Sequence, residues 1–200
     1  GRTYNLSFVK SLLPKAVASS LNIPQGIGLR ADIHADGPRY QARFDASQGG
    51  GTVGGNAMFN ARSLAYNARL SAHNLHLANF LPSLPVRPFT GELTANGAGF
   101  DFLSPHTRLE ARGAVERFAY NGYDLSGMSL TASVKNGVGR AVVDSRTPII
   151  NGVIDLSALM SRRKIDAKLV CDLVNADFMR MGLTKRPFST SLTANVRLLS

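Results

Sequence analysis

The sequence predicts an all-β protein: an elongated, strongly curled antiparallel sheet, or half-pipe, built from stacked hairpin repeats. Apolar and polar residues alternate at period two through most of the chain, and dipeptides suited to tight hairpins separate the alternating runs. A decapeptide also recurs, which indicates that one structural unit follows another. Helix is expected only as a short segment within residues 7–22, where Pro14 interrupts the pattern.

The alternating runs divide each predicted strand into one apolar and one wet face. Small residues such as Gly55 and Ala57 lie between the large apolar ones, which lets a sheet curl and leaves room inside it. We therefore expect a trough with an apolar inner wall. The wall residues are predicted to be Ile27, Leu29, Ile33, Tyr40, Phe44, Val53, Phe59, Tyr66, Leu70, Phe89, Leu93, Ile150, Ile154, Ile165, Leu169 and Leu192.

Turn signals separate these runs. They read "DGP" at 36–38, "SQGGG" at 47–51, "YNGYD" at 120–124, "KNG" at 135–137 and "ING" at 150–152. Asn-Gly and Asp-Gly dipeptides suit tight hairpins because their residues accept positive φ. The pattern predicts about nine or ten strands in an antiparallel meander.

The repeated decapeptide is "RPFTGELTAN" at 87–96 and "RPFSTSLTAN" at 186–195, with seven of ten positions identical. The similarity extends to 65–96 against 164–195, and a fainter copy begins at residue 5. We interpret residues 1–200 as one continuous repeat segment of a larger protein. Its approximate units are 5–73, 74–172 and an incomplete 173–200.

The chain is strongly basic, with 23 Lys and Arg residues against 13 Asp and Glu and a net charge of +10. Such a charge attracts polyanions, including nucleic acid and anionic lipid headgroups. Nucleic-acid binding combines basic and aromatic side chains on one face. Here Tyr40 and Phe44 alternate with Arg39 and Arg43, so the two types are predicted to face opposite ways. We therefore expect no nucleic-acid partner.

No residue pattern indicates catalysis, a cofactor or a metal. His73 and His76 are three residues apart, which in a strand sends them to opposite faces. Cys171 lies in an apolar row and is expected to be a small buried residue. The run at 49–55, "GGGTVGG", lacks the ending of a phosphate loop and is interpreted as a hairpin with a bulge. The protein is not expected to be an enzyme.

Residues 49–82 and 120–137 resemble repeats of the AsmA-like family, and most closely the TamB type found in Bacteroidetes. The resemblance covers essentially the whole chain and depends on a pattern of Gly, alternating apolar residues and "L…A.NL.L..FLP". It implies a β-taco trough in the periplasm of a Gram-negative bacterium, within a protein anchored in the inner membrane. It further implies phospholipid transport to the outer membrane, a role in translocation and assembly, and an outer-membrane barrel protein as a candidate partner.

Two other functions are open. A structural or scaffold repeat module would have a closed, dry core with no ligand-sized cavity, and its function would come from partners. A carbohydrate-active enzyme would need an aromatic platform and paired carboxylates, whereas the chain has no Trp and its carboxylates are dispersed. Whatever the function, the first and last strands of such a segment are expected to have free edges, so the isolated segment is predicted to self-associate edge to edge.

Overall fold

The structure, a computed structural model, describes residues 22, 24, 26–80, 82, 86–101, 103–120, 122–160, 165–180 and 184–199. Nearly all of the predicted helix at 7–22 lies outside the described residues. The described part contains thirteen strands and one short helix, so the all-β antiparallel prediction is confirmed.

Eleven of these strands form one antiparallel sheet in which chain order and spatial order agree. The strands are β1 (Gly28–Asp36), β2 (Arg39–Gln48), β3 (Gly51–Asn60), β4 (Ala65–Leu75), β5 (Phe89–Ala98), β6 (Arg108–Arg117), β7 (Ala119–Tyr120), β8 (Tyr123–Asp124), β9 (Met128–Lys135), β10 (Val138–Arg146), β11 (Ile150–Met160), β12 (Ile165–Asp177) and β13 (Ser189–Leu199). The two-residue strands β7 and β8 pair separately as a small hairpin, so that β6 pairs directly with β9. Helix α1 (Leu77–Phe80) follows β4. The predicted number of strands was too low.

Three predicted turns form two-residue hairpin loops: Gly37 and Pro38 join β1 to β2, and in the other two both loop residues have positive φ. Asn136 and Gly137 join β9 to β10 with φ angles of 55° and 74°, and Gly49 and Gly50 join β2 to β3 with 57° and 82°. Two successive positive φ angles give a turn whose twist matches that of the flanking strands. The bulge predicted at 49–55 was wrong, because the β2–β3 register runs without a shift from Gln48 opposite Gly51.

The turn predicted at 150–152 was also wrong. Gly152 lies inside β11 with a φ of 145°, where the register with β12 shifts. The reversal between β10 and β11 comes earlier and is held by side chains: the Thr147 hydroxyl accepts a hydrogen bond from the Ile150 amide (3.0 Å), and the Ser145 hydroxyl donates to the Ile150 carbonyl (2.6 Å). Gly152 therefore lies opposite a bulge, whose extra residue is Val174 in β12, and not in a turn.

The two copies of the decapeptide pair differently with the strands before them. In β5 Leu93 lies opposite Leu70, whereas its counterpart Leu192 in β13 lies opposite Leu173. The sequence alignment matches Leu70 with Leu169, four residues before Leu173 (173 − 169 = 4). Because four is an even number, the slip leaves every apolar side chain on its original face.

Full burial is confined to one region of the sheet. The buried apolar residues of the described part are Ile149, Cys171, Leu173 and Ala176, at the end of β12 and in the β10–β11 turn. Ile150, Ile154 and Phe178 pack against this cluster. No helix among the described residues is long and apolar enough to cross a membrane. The repeat boundaries and the edge-to-edge association through β1 and β13 stay predictions.

Replacing Gly152 with Ala tests the bulge. The added Cβ would lie 2.2 Å from the Asp172 carbonyl oxygen, in a backbone conformation that L-residues rarely adopt. We expect the free energy of unfolding to fall by about 1–3 kcal/mol. Urea unfolding followed by circular dichroism measures it.

Gly113→Ala is the matched control, because its added Cβ would meet nothing closer than 3.6 Å and its φ is not positive. This substitution should change stability by less than about 1 kcal/mol. Equal losses in the two variants would show that the bulge opposite Gly152 is not required.

Candidate functional site

The pairing register places one set of alternating residues from all eleven strands on the same side of the sheet, which we call the apolar face. Leu70, for example, lies opposite Gly55 and Leu93. The predicted wall residues on this face are Leu29, Ile33, Tyr40, Phe44, Val53, Phe59, Tyr66, Leu70, Phe89, Leu93, Ile150, Ile154, Leu169 and Leu192. Ile27 precedes β1, and the side chain of Ile165 lies outside the described part. Their contact with a ligand stays a prediction.

The opposite side, which we call the polar face, carries the charged residues of the strands. Arg43 lies opposite Asp32 and Asn56, and Arg69 lies opposite Asn56 and Thr94. Basic and aromatic side chains of β2 to β4 are therefore on different faces, as the alternation predicted. The polar face also exposes a few apolar side chains: Met58, Val138, Val153 and Leu159.

A row of seven alanines crosses the centre of the apolar face. The register aligns Ala42, Ala57, Ala68, Ala95, Ala111, Ala132 and Ala141 on seven adjacent strands, β2 to β6, β9 and β10. Each is half-buried. Six steps of about 4.8 Å make this row about 29 Å long. Sequence analysis missed the row, although each strand has an Ala near its centre, because only the register shows that these positions are aligned.

Larger side chains flank the alanine row and cover glycines on neighbouring strands. A Cβ added to Gly55 would lie 2.6 Å from Leu70 Cδ2, and one added to Gly97 would lie 2.7 Å from the Tyr66 hydroxyl. Leu70 and Tyr66 thus occupy the space that side chains at those positions would fill. Large side chains on both sides of the alanine row therefore stand higher than the alanines between them. We call the lower surface formed by the alanines the lane.

Many side chains of the apolar face remain exposed to solvent. Leu93 is 41% exposed, Leu130 40% and Leu156 44%, while Val196 near the edge reaches 55%. Among the described residues no second layer packs over this face. Folded soluble proteins rarely expose a contiguous apolar surface of this kind, and where they do it commonly marks a binding surface.

A cavity borders the middle strands of the apolar face. It has a volume of about 530 Å³ and is lined by residues from β3 to β6, β9 and β10, including Val53, Leu70, Leu93, Leu130 and Val143. The volume lies within the range of about 300–1,000 Å³ typical of ligand pockets.

At one end of the strands an aromatic cluster overlies the apolar face. Phe100, in the loop between β5 and β6, stacks on Tyr66 with ring centroids 5.2 Å apart and contacts Phe59 at 6.0 Å. Phe59 in turn contacts Tyr40. Burial raises the pKa of the Tyr66 phenol, whose hydroxyl lies at the border of the apolar face.

At the other end the connecting segments fold against the strand ends. Leu75 and Leu77, around the start of α1, line the cavity. The Asn79 amide donates to the Gln48 side chain at 2.7 Å, which ties α1 to the β2–β3 hairpin. Phe89 meets Phe118 edge to face at 6.0 Å. The connecting segments thus close one end of the cavity on the apolar face.

Some titratable groups of the described residues form ion pairs across or along the strands. Arg140 Nε donates to Asp155 at 2.9 Å, and this hydrogen bond lowers the pKa of the carboxyl. Arg197 makes two such bonds to Asp166 on the neighbouring strand. Within the described residues no three His, Cys, Asp or Glu side chains gather into a metal-binding group.

A comparison of the chain with protein-family models, curated proteins and solved structures finds no match. The functional argument therefore depends on the geometry of the apolar face.

The buried Cys171 thiol provides a probe of that geometry. Burial, assisted by the neighbouring Asp172, raises its pKa, so less thiolate is present at pH 8 than for a free cysteine. We expect alkylation by iodoacetamide at pH 8 to be at least about tenfold slower in the native protein than in urea. A folded pKa above the unfolded one also means that this group's contribution to stability decreases as the pH rises through about 8.5. Equal native and unfolded alkylation rates would place Cys171 outside the packed cluster.

Proposed function

We propose that this chain is an interior segment of a periplasm-spanning bridge protein of the TamB type, whose apolar face carries phospholipid acyl chains between the inner and outer membranes and so supports outer-membrane assembly. One observation carries the proposal: an apolar face extends over eleven strands and, among the described residues, no second layer packs over its central strands. The proposal assigns the chain no catalytic activity and no cofactor.

The alanine row has the dimensions of a path for an acyl chain. It is about 29 Å long, whereas one leaflet of a bilayer is about 15 Å thick in its hydrocarbon part. An extended chain can therefore lie along the row, across the strands, with Leu70 and Leu93 on one side and Tyr66 and Leu109 on the other. Each CH₂ removed from water contributes about 0.8 kcal/mol, so no specific polar contact is required.

The uniformity of the alanine row is also suited to movement of an acyl chain along it. Seven successive strands present the same methyl group at the same height, so a chain that shifts by one strand exchanges one set of contacts for an equivalent set. A carrier needs this property, whereas a specific binding pocket would hold its ligand at one place. The net charge of +10 favours amphiphiles with an anionic headgroup.

The scaffold alternative is less well supported. It expects a closed core without a ligand-sized cavity, whereas the described residues have a cavity of about 530 Å³ on the apolar face. The buried apolar residues at the end of β12 form a local cluster, not a core that extends along the sheet. A partner protein that covers the entire face would restore this alternative.

Site-specific photo-crosslinking in cells tests the proposal. A photoreactive residue at Leu93 or Leu130 should form lipid adducts, since both side chains project from the apolar face and are 41% and 40% exposed. Thr94 and Thr131, the next residues on the same two strands, face the opposite way and are matched controls. Mass spectrometry of the purified adducts identifies the lipid.

We expect adducts at the two leucines to exceed those at the two threonines by about tenfold or more. Equal crosslinking on both faces would indicate nonspecific contact with membranes. Adducts to protein alone at Leu93 and Leu130 would replace the proposal with the scaffold alternative.

The alanine row allows a second test by obstruction. Ala132→Trp places a large side chain in the lane, whereas Ser133→Trp places it one residue further on, on the polar face. Lipid that co-purifies with the protein should fall several-fold in the first variant and stay unchanged in the second, because only the first removes room for an acyl chain. Unchanged lipid content in a folded Ala132→Trp protein would contradict the role of the row.

A further inference from the structure

Charges that lie directly opposite each other across strands are mostly of opposite sign in this sheet. Between β1 and β2 the register pairs Arg30 with Asp45, Asp32 with Arg43 and Asp36 with Arg39. Opposite charges at such positions stabilise a sheet, and like charges destabilise it. Two cross-strand pairs depart from this rule by placing one cation opposite another.

Both members of the first pair lie near carboxylates of the sheet. Lys168 lies opposite Arg197. Arg197 is bound to Asp166 through two hydrogen bonds, at 2.9 and 2.7 Å. Lys168 lies close enough to Asp155 to help lower the pKa of that carboxyl. Arg197 is thus paired with Asp166, and Lys168 lies near Asp155, which is itself hydrogen-bonded to Arg140.

The second pair is Arg108, the first residue of β6, opposite Lys135, the last residue of β9. Both are exposed, and neither forms an ion pair or a side-chain hydrogen bond with any described residue. Their neighbours in the same row, Ala98 and Val138, are uncharged. Glu110, the diagonal neighbour of Lys135, offsets only one of the two charges, so the group keeps a net positive charge that an external anion can neutralise.

A cavity of about 590 Å³ lies at this pair. Its lining includes Asn96, Arg108, Glu110, Ser133 and Lys135, all of which are polar-face positions. Asn96 and Ser133 supply an amide and a hydroxyl donor beside the two cations. Glu110 is the acidic residue in the lining, and it forms no ion pair with either cation.

We propose that Arg108 and Lys135 bind a phosphodiester group in this cavity. The guanidinium offers a planar fork that matches two phosphate oxygens, and the ammonium adds a compact charge on the other side. The two cations and Glu110 together have a net charge of +1, which matches the single negative charge of a phosphodiester. A phosphate monoester or inorganic phosphate carries a charge of about −1.5 to −2 at pH 7 and is repelled more strongly by Glu110.

The side chains proposed to bind the phosphodiester are on the polar face and require no acyl chain, although Tyr66, Leu109 and Val134 of the apolar face also line the cavity. A soluble diester can therefore test this site whether or not the protein carries lipid. The diester bound in the cell would be either a phospholipid headgroup or a soluble phosphodiester, and both present the same group to Arg108 and Lys135.

The experiment is a titration of the ¹⁵N-labelled protein with dimethyl phosphate at low ionic strength, followed by NMR. The amide signals of Asn96, Arg108, Ser133 and Lys135 should shift saturably. Lys135→Gln and Arg108→Gln should each weaken the apparent affinity about tenfold, as expected when one of two cations is removed. Lys168→Gln, in the first pair, should leave it unchanged. Absence of saturable shifts, or the same affinity in Lys135→Gln as in the unaltered protein, would overturn the proposal.

A thermal melt keeps the test independent of spectral changes. Without added anion, Lys135→Gln should melt at or above the temperature of the unaltered protein, because it removes a repulsion. Dimethyl phosphate should raise the melting temperature of the unaltered protein and not that of the variant. A variant that is less stable without anion and still stabilised by dimethyl phosphate would contradict the assignment.

Two further arms identify the ligand. Glu110→Gln should increase the affinity for inorganic phosphate relative to dimethyl phosphate, and an unchanged ratio would contradict the charge argument. Flotation with phosphatidylglycerol vesicles distinguishes the sources: loss of flotation in Lys135→Gln would assign the site to a lipid headgroup. Retained flotation, together with binding of dimethyl phosphate, would assign it to a soluble diester.

Discussion

The in-phase pairing of eleven strands is the constraint on which the rest of the structure depends. Side chains alternate between faces with a period of two residues, so any odd slip in register would move the apolar side chains of a strand to the wet face. The bulges in the β4–β5, β5–β6, β11–β12 and β12–β13 pairings lie towards one end of their strands. The central rows therefore stay aligned across the sheet. The four-residue difference between the two copies of the decapeptide follows the same rule, because it is even.

This alignment produces a protein whose apolar side chains are collected on one face but only partly removed from water. Leu93, Leu130 and Leu156 all remain about two-fifths exposed. Stability then depends on the backbone ladder, on large side chains that cover glycines, and on the small cluster around Leu173. A ligand on the apolar face would add the missing hydrophobic contribution and raise the stability of the fold. Under the proposed function, occupancy of the apolar face and stability of the fold would therefore be coupled.

Much of the fold could be predicted from the sequence because its determinants are local. Alternation identified the faces of β1, β2 and β4, and Asn136-Gly137 and Gly49-Gly50 identified hairpins through their tolerance of positive φ. Predictions were wrong or incomplete where one residue type occurs in two kinds of structure, or where a feature depends on residues that are distant in the sequence. The Asn-Gly dipeptide at 151–152 is typical of a turn, but Gly152 lies within β11, opposite a bulge in β12 and close to Asp172 and Leu173. Three other features depend on strand pairings that cannot be identified from the sequence. They are the alanine row, the stacking of Phe100 on Tyr66, and the pairing of Arg108 with Lys135, which arises because the β7–β8 hairpin lies outside the large sheet.

Paramagnetic broadening of the protein's amide signals by a phospholipid that has a nitroxide near the end of its acyl chain tests the central claim most directly. If the alanine row is the path of an acyl chain, broadening should be strongest at Ala57, Ala95 and Ala132 and should extend across the seven strands of the row. The hairpin at Asn136 and Gly137 should be spared. Broadening confined to the strand ends or to the loops, with the alanines unaffected at saturating lipid, would contradict the account.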